Sequence, residues 1–211
     1  MGFIGFLKGL FRSKPQSENI VETGANAVLI ADEPVSESEF SGTDLVFRLA
    51  KKTDLHFIFS LIISEAKNGH FSSQFLYAGA VDGLREQILS TIVNSKMPVN
   101  KGKFKVAKLH VLATKTNPIG FMWITKSKYE HINGWELYMC ALQPSAREKG
   151  LGRLIVKHSL NVINGNKPVF VRLYPKSLVM KNILESLGFH SRKTKASTLL
   201  YVSYKRREEI D

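Results

Sequence analysis

The chain has 211 residues, enough for one well-buried core with some extension. Its apolar fraction of 44% is ordinary for a soluble globular protein, and no run approaches the roughly 18–20 apolar residues that span a bilayer. A single cysteine, Cys140, excludes an internal disulfide and a multi-cysteine metal site, and fits a reducing, cytoplasmic compartment. No His, Asp and Glu cluster has metal-ligand spacing, so no structural metal is expected. The net charge of +12 is uneven: residues 1–45 hold three basic and seven acidic residues, a net −4, which leaves +16 for the rest. A basic body suits a polyanionic ligand, and also RNA or an acidic protein. The aromatic–basic interleaving of single-strand binders is absent.

In residues 1–12, Phe3, Ile4, Phe6, Leu7, Leu10 and Phe11 recur at near-helical spacing beside Lys8 and Arg12. Such an amphipathic segment suits docking on an anionic membrane surface or a partner protein, so a peripheral membrane contact is one expectation. It lacks the features of a signal peptide, because Lys8 interrupts the apolar run and no small-residue cleavage site follows. Residues 13–43 read as an acidic flexible linker, interrupted only by Asn26 to Ile30. The globular domain is expected over 44–206, with a charged tail at 207–211.

Within that domain, Leu45 to Ala50 reads as a strand. Asp54 gives an N-cap signal for a helix from Leu55 to Ala66, closed by Asn68-Gly69. A second helical stretch covers Ser73 to Val93. Strands follow over Phe104 to Ala113, Ile119 to Thr125 and Trp135 to Leu142, with breaks at Asn117-Pro118 and Asn133-Gly134. Next come a helix from Leu151 to Ile163, a strand from Val169 to Leu173, a helix from Ser177 to Leu187 ended by Gly188, and a strand from Leu199 to Tyr204. Helical crossovers combined with an antiparallel meander imply a mixed sheet covered by helices, an α/β or α+β layer fold.

One stretch organises the rest. Pro144 to Arg153 carries Gly150 and Gly152 between the strand ending at Leu142 and the helix starting at Leu151. A strand turning through such a loop into a helix leaves backbone N–H groups unpaired, and with the helix dipole they form a phosphate or pyrophosphate site. Glycines let that ligand approach the backbone closely.

These residues resemble the GNAT superfamily of acetyl-CoA-dependent N-acetyltransferases over roughly Asp44 to Tyr204. The family's Arg/Gln-x-x-Gly-x-Gly/Ala loop is present as Arg147-Glu148-Lys149-Gly150-Leu151-Gly152, with Pro144 three positions ahead. Val171-Arg172-Leu173, leading through Ser177 to Leu187-Gly188-Phe189, resembles the strand-and-helix block that closes in Leu-Gly-Phe. The resemblance implies a mostly antiparallel sheet of six to seven strands flanked by helices. It also implies acetyl-CoA as cosubstrate and direct attack of a primary amine on the thioester in a ternary complex. The cofactor-binding set it implies is Cys140, Ala141, Leu142, Arg147, Glu148, Lys149, Gly150, Leu151, Gly152, Arg153 and Ser177, with the backbone of Cys140 to Leu142 polarising the carbonyl. Two positions depart from the family: Leu184 stands where a Tyr often protonates the thiolate, and Ser177 where Asn is common.

A protonated amine needs a base, since making it neutral at pH 7 costs about 4 kcal/mol for about three pK units. Glu136, at the head of its strand, is the expected base. Tyr174 is the expected acid, with Tyr138 as the alternative. Cys140 and His158 read as buried packing residues rather than a nucleophile and a base. Acceptor choice is expected from Leu55 to Val93 and the loop around Lys126 to Gly134. The acceptors left open are a protein amine, a polyamine-like molecule and aminoacyl-tRNA; a homodimer also stays open. The competing reading is a catalytically weak acyl-CoA-binding module, regulatory or docked through residues 1–12.

Overall fold

The computed structural model describes residues 45–100, 102–115, 117–163, 167–192 and 199–203. The amphipathic segment, the acidic linker and the charged tail lie outside them. Among the described residues four helices and eight strands follow one another: β1 (Val46–Leu49), α1 (Leu55–Lys67), α2 (Ala78–Asn94), β2 (Lys96–Pro98), β3 (Phe104–Ala113), β4 (Pro118–Tyr129), β5 (Ile132–Leu142), α3 (Leu151–Val162), β6 (Val169–Leu173), α4 (Leu178–Ser186), β7 (His190–Arg192) and β8 (Leu199–Ser203).

Across the sheet the order is β1-β3-β4-β5-β6-β8-β7, with short β2 paired to β3 beyond the end of β1. Every pairing is antiparallel except β5 with β6. Side chains alternate between the two faces of a strand, so each face feeds its own core. On one face Leu109, Val111, Phe121, Trp123 and Met139 meet Ile58, Phe59, Ile62, Leu84 and Ile88 of α1 and α2. On the other, Leu112, Met122, Ile124, Leu137 and Val171 meet Ile155, Val156, Leu160 and Leu184 of α3 and α4. The result is a sheet between two helical layers.

Several local expectations are corrected. Asp54 occupies the cap position of α1, but its carboxylate is taken by the Lys51 N–H at 2.7 Å and by Arg48 at 2.6 and 3.0 Å. The stretch from Ser73 is not one helix: a 3-10 turn at Ser73–Leu76 precedes an extended Tyr77, from which α2 starts. Lys126 to Gly134 is a hairpin rather than a loop. Strand alternation continues through exposed Lys126, buried Ser127 and exposed Lys128, and the turn falls at Glu130 and His131. Polar residues on the outward face hid that strand from an apolar-run reading. β2 and β7, three residues each, gave no run at all.

Candidate active site

Parallel pairing of β5 with β6 covers only Trp135↔Val169 and Glu136↔Phe170. Beyond that the strands part. Tyr138 is the cause at residue level, because β4 pairs Trp123 with Met139 and Ile124 with Leu137, leaving Tyr138 as one extra residue in β5. A bulge of this kind bends its strand and increases the local twist. Gly134 lets the two strands start together: a Cβ there would stand 2.0 Å from the Pro168 carbonyl oxygen, which accepts the Trp135 N–H at 3.0 Å. Further along β5, the Gln143 N–H donates to Ile119 on the β4 side. By alternation the N–H groups of Leu142 and Cys140 point into the gap.

At the end of β5, Pro144–Ala146 forms one 3-10 turn. Glu148 and Gly150 then take positive φ values of 62° and 75°, and α3 begins. Glycine adopts such a φ without strain, whereas for Glu148 it costs about 1 kcal/mol or more. None of the five N–H groups from Glu148 to Gly152 donates to an acceptor among the described residues. Glu148, Gly150 and Gly152 of this loop line a cleft of 1560 Å³ that runs from the loop, between the parted strands, to the hairpin tip at Lys128–Glu130. A Cβ at Gly150 would meet nothing within 4 Å, so the loop's outer side is clear for a ligand.

The cleft brings together Glu136, Tyr138, Tyr174, Cys140, Ala141, Leu142, Arg147, Glu148, Gly150, Gly152, Arg153 and Ser177. Lys149 and Leu151, expected beside them, do not line it. Arg147 is spent differently from the expectation that it serves the phosphates. It donates through Nε and Nη2 to the Leu142 carbonyl, both at 3.0 Å, and through Nη2 to Glu65 at 2.6 Å. The guanidinium therefore ties the loop to α1. Arg153 donates to Ser186, linking α3 to α4. His70 Nδ1 lies 3.5 Å from Ser177 Oγ, so the turn after α1 meets the turn before α4 across the cleft.

Glu136 is buried and ion-paired. Arg172 gives it Nε at 2.7 Å and Nη2 at 2.6 Å, both onto Oε1, while its guanidinium lies 4.9 Å from the Tyr129 ring centre. Behind this pair, Lys105 donates to Ser127 at 2.9 Å, and burial holds its pKa below the ordinary lysine value. Burial, reinforced by the Glu136 charge, raises the Tyr138 phenol far above its ordinary value and keeps it protonated. Burial pushes the Cys140 thiol up to about 12. The Tyr174 hydroxyl makes no hydrogen bond among the described residues. Leu184 is fully buried in the second core, so α4 supplies packing at that position. Among the described residues no group of three or more His, Cys, Asp or Glu is placed to hold a metal ion. None of their helices is long and apolar enough to cross a membrane.

Sequence reasoning missed Glu65 and the Arg172 partnership. Both carried one signal, an ionised residue inside an apolar stripe, which needs a partner when buried.

No family model and no curated protein matches the chain. Solved structures do. PaiA N-acetyltransferase from Thermoplasma acidophilum in complex with coenzyme A superposes with a TM-score of 0.59 at 15% identity, over 75% of this chain and 97% of that one. A GNAT superfamily phosphinothricin acetyltransferase from Sinorhizobium meliloti in complex with AcCoA gives 0.57 at 16%, over 76% and 88%. The fold is that of the GNAT acetyltransferases. Spermidine N-acetyltransferase from Vibrio cholerae in complex with CoA and spermine shares this GNAT fold at 0.52 and 15% identity, over 75% and 93%.

Proposed function

We propose that the chain is an N-acetyltransferase that transfers an acetyl group from acetyl-CoA to a primary amine by direct attack. The observation that carries this reading is the loop from Glu148 to Gly152, whose five N–H groups are uncommitted among the described residues and whose Glu148, Gly150 and Gly152 line a cleft between parted strands. Such a loop fits a pyrophosphate, and the gap beyond it fits an extended arm ending in a thioester. Acetyl-CoA supplies the activated acyl group. The N–H groups of Cys140 and Leu142 are the donors for the thioester oxygen. Glu136 Oε2 has no partner among the described residues and takes the amine proton, directly or through water.

Tyr174 is the group that returns a proton to the thiolate. Tyr138, held protonated by its burial, is a hydrogen-bond donor to the same region. Direct attack is favoured over an acetyl-enzyme because Cys140, with its thiol pushed up to about 12, is almost never a thiolate at neutral pH. The acceptor class stays at primary amines; the spermine in the Vibrio cholerae neighbour puts polyamines on the panel. Buried Leu184 favours the second reading, a weakly catalytic CoA-binding module. Thiol release from acetyl-CoA over an amine panel separates them. Amine-dependent release supports the enzyme; tight CoA binding with no release from any amine supports the module.

A further inference from the structure

We infer that the acceptor is an amine carrying a carboxylate or phosphate close to its nitrogen, and that the Glu136–Arg172 pair recognises both charges. This inference rests on the acetyl-transfer reading above. Arg172 spends Nε and Nη2 on a single carboxylate oxygen, at 2.7 and 2.6 Å. That asymmetry leaves Glu136 Oε2 and Arg172 Nη1 without partners among the described residues, and neither is among the sealed, unpartnered buried atoms. Both residues line the cleft. One ion pair on the cleft wall therefore offers a free acceptor on Glu136 and, on the guanidinium edge turned away from that carboxylate, a free donor of opposite charge.

The guanidinium is held in place before any ligand arrives. Glu136 fixes one edge and the Tyr129 ring lies against it at 4.9 Å, so the remaining N–H groups are set for an oxyanion. Net charge points the same way. Lys105 sits behind Glu136 on Ser127 and makes no ion pair with a carboxylate among the described residues. Glu136, Arg172 and Lys105 together carry +1 when each is ionised, and at the hairpin tip Lys128 and Glu130 offset each other. A polyamine would bring further positive charge beside this trio, whose Lys105 lies behind the cleft lining. An ammonium with a neighbouring oxyanion matches Oε2 and Nη1 and leaves the balance unchanged.

The test compares matched acceptors in the full-length protein with acetyl-CoA: lysine against cadaverine, β-alanine against propylamine, phosphoethanolamine against ethanolamine. Expected is a kcat/KM advantage of ~10-fold or more for the oxyanion-bearing member. The carboxylate and phosphate pairs show which oxyanion is preferred. Arg172→Lys keeps the charge beside Glu136 but loses the fork, and the advantage should collapse through KM while circular dichroism stays native. Preference for the plain amines, or an advantage that survives Arg172→Lys, overturns the inference and leaves acetyl transfer standing. If no amine is turned over, the proposed activity fails, and calorimetry of the CoA-loaded protein with the same amines decides the recognition. Selective binding of the oxyanion-bearing members that Arg172→Lys removes upholds it; no selectivity overturns it.

Discussion

His110 and His158 make the stability of the fold depend on pH in a calculable way. Both rings are buried, at 6% and 7% exposure, with Phe47 stacked 3.7 Å from His158 and His110 edge-on to His158 at 5.9 Å. Among the described residues His110 Nδ1 has no hydrogen-bond partner. Burial lowers His110 to about 3 and His158 to about 4, the charge of His158 adding to the effect on His110. In the unfolded chain each titrates near ~6.5. Between these limits the unfolded state binds more protons than the folded state, so stability rises with pH and is lost as pH falls from about 6.5. From pH 8 to pH 5 each histidine removes about 2 kcal/mol, about 4 kcal/mol together. Carboxylates add slopes of their own, so the measurement is a comparison. Urea unfolding at pH 8, 7, 6 and 5 is followed for the parent and for His158→Leu. The parent should lose about 2 kcal/mol more over that range. Equal losses would show that His158 titrates normally in the fold, and would refute the buried neutral ring.

Three further outcomes follow from the site. Gly134→Ala drives a methyl onto the Pro168 carbonyl at the first β5–β6 rung and should cost about 2 kcal/mol or more; an unchanged melting temperature contradicts that contact. Cys140 should be a thiolate at roughly one part in 10⁴ at pH 8. Alkylation of the native protein should thus lag far behind that of the unfolded chain, and labelling at the rate of a free thiol would revive an acetyl-enzyme route. Glu136→Gln should lower turnover by ~10²-fold or more with CoA affinity retained, and an unaltered rate across pH removes the base.

Much of the fold was legible because local signals agreed with one another. The apolar runs of β3 and β6 matched their observed bounds, and the Gly188 stop fell just past the end of α4. Legibility failed where tertiary partners decide. The far half of the β4–β5 hairpin is amphipathic and has no continuous apolar run. The Asp54 carboxylate followed Arg48 rather than its own helix. The site divided the same way. A glycine loop between strand and helix is a local feature and could be read. That Arg147 would turn to Glu65, 82 positions earlier, and Glu136 to Arg172, 36 positions later, depends on contacts that spacing does not encode.

The central claim is that the N–H groups of Glu148 to Gly152 hold the pyrophosphate of coenzyme A. Gly150 is where it is most exposed to test. Its φ of 75° suits Asp and Asn better than most residues, and an added Cβ meets nothing within 4 Å. Isothermal titration of CoA into the parent, Gly150→Asn and Gly150→Asp then isolates the charge. Affinity should fall ~100-fold or more for Gly150→Asp and much less for Gly150→Asn, with both variants natively folded. CoA binding that is absent from the parent, or equally tight in the Asp variant, would contradict the assignment.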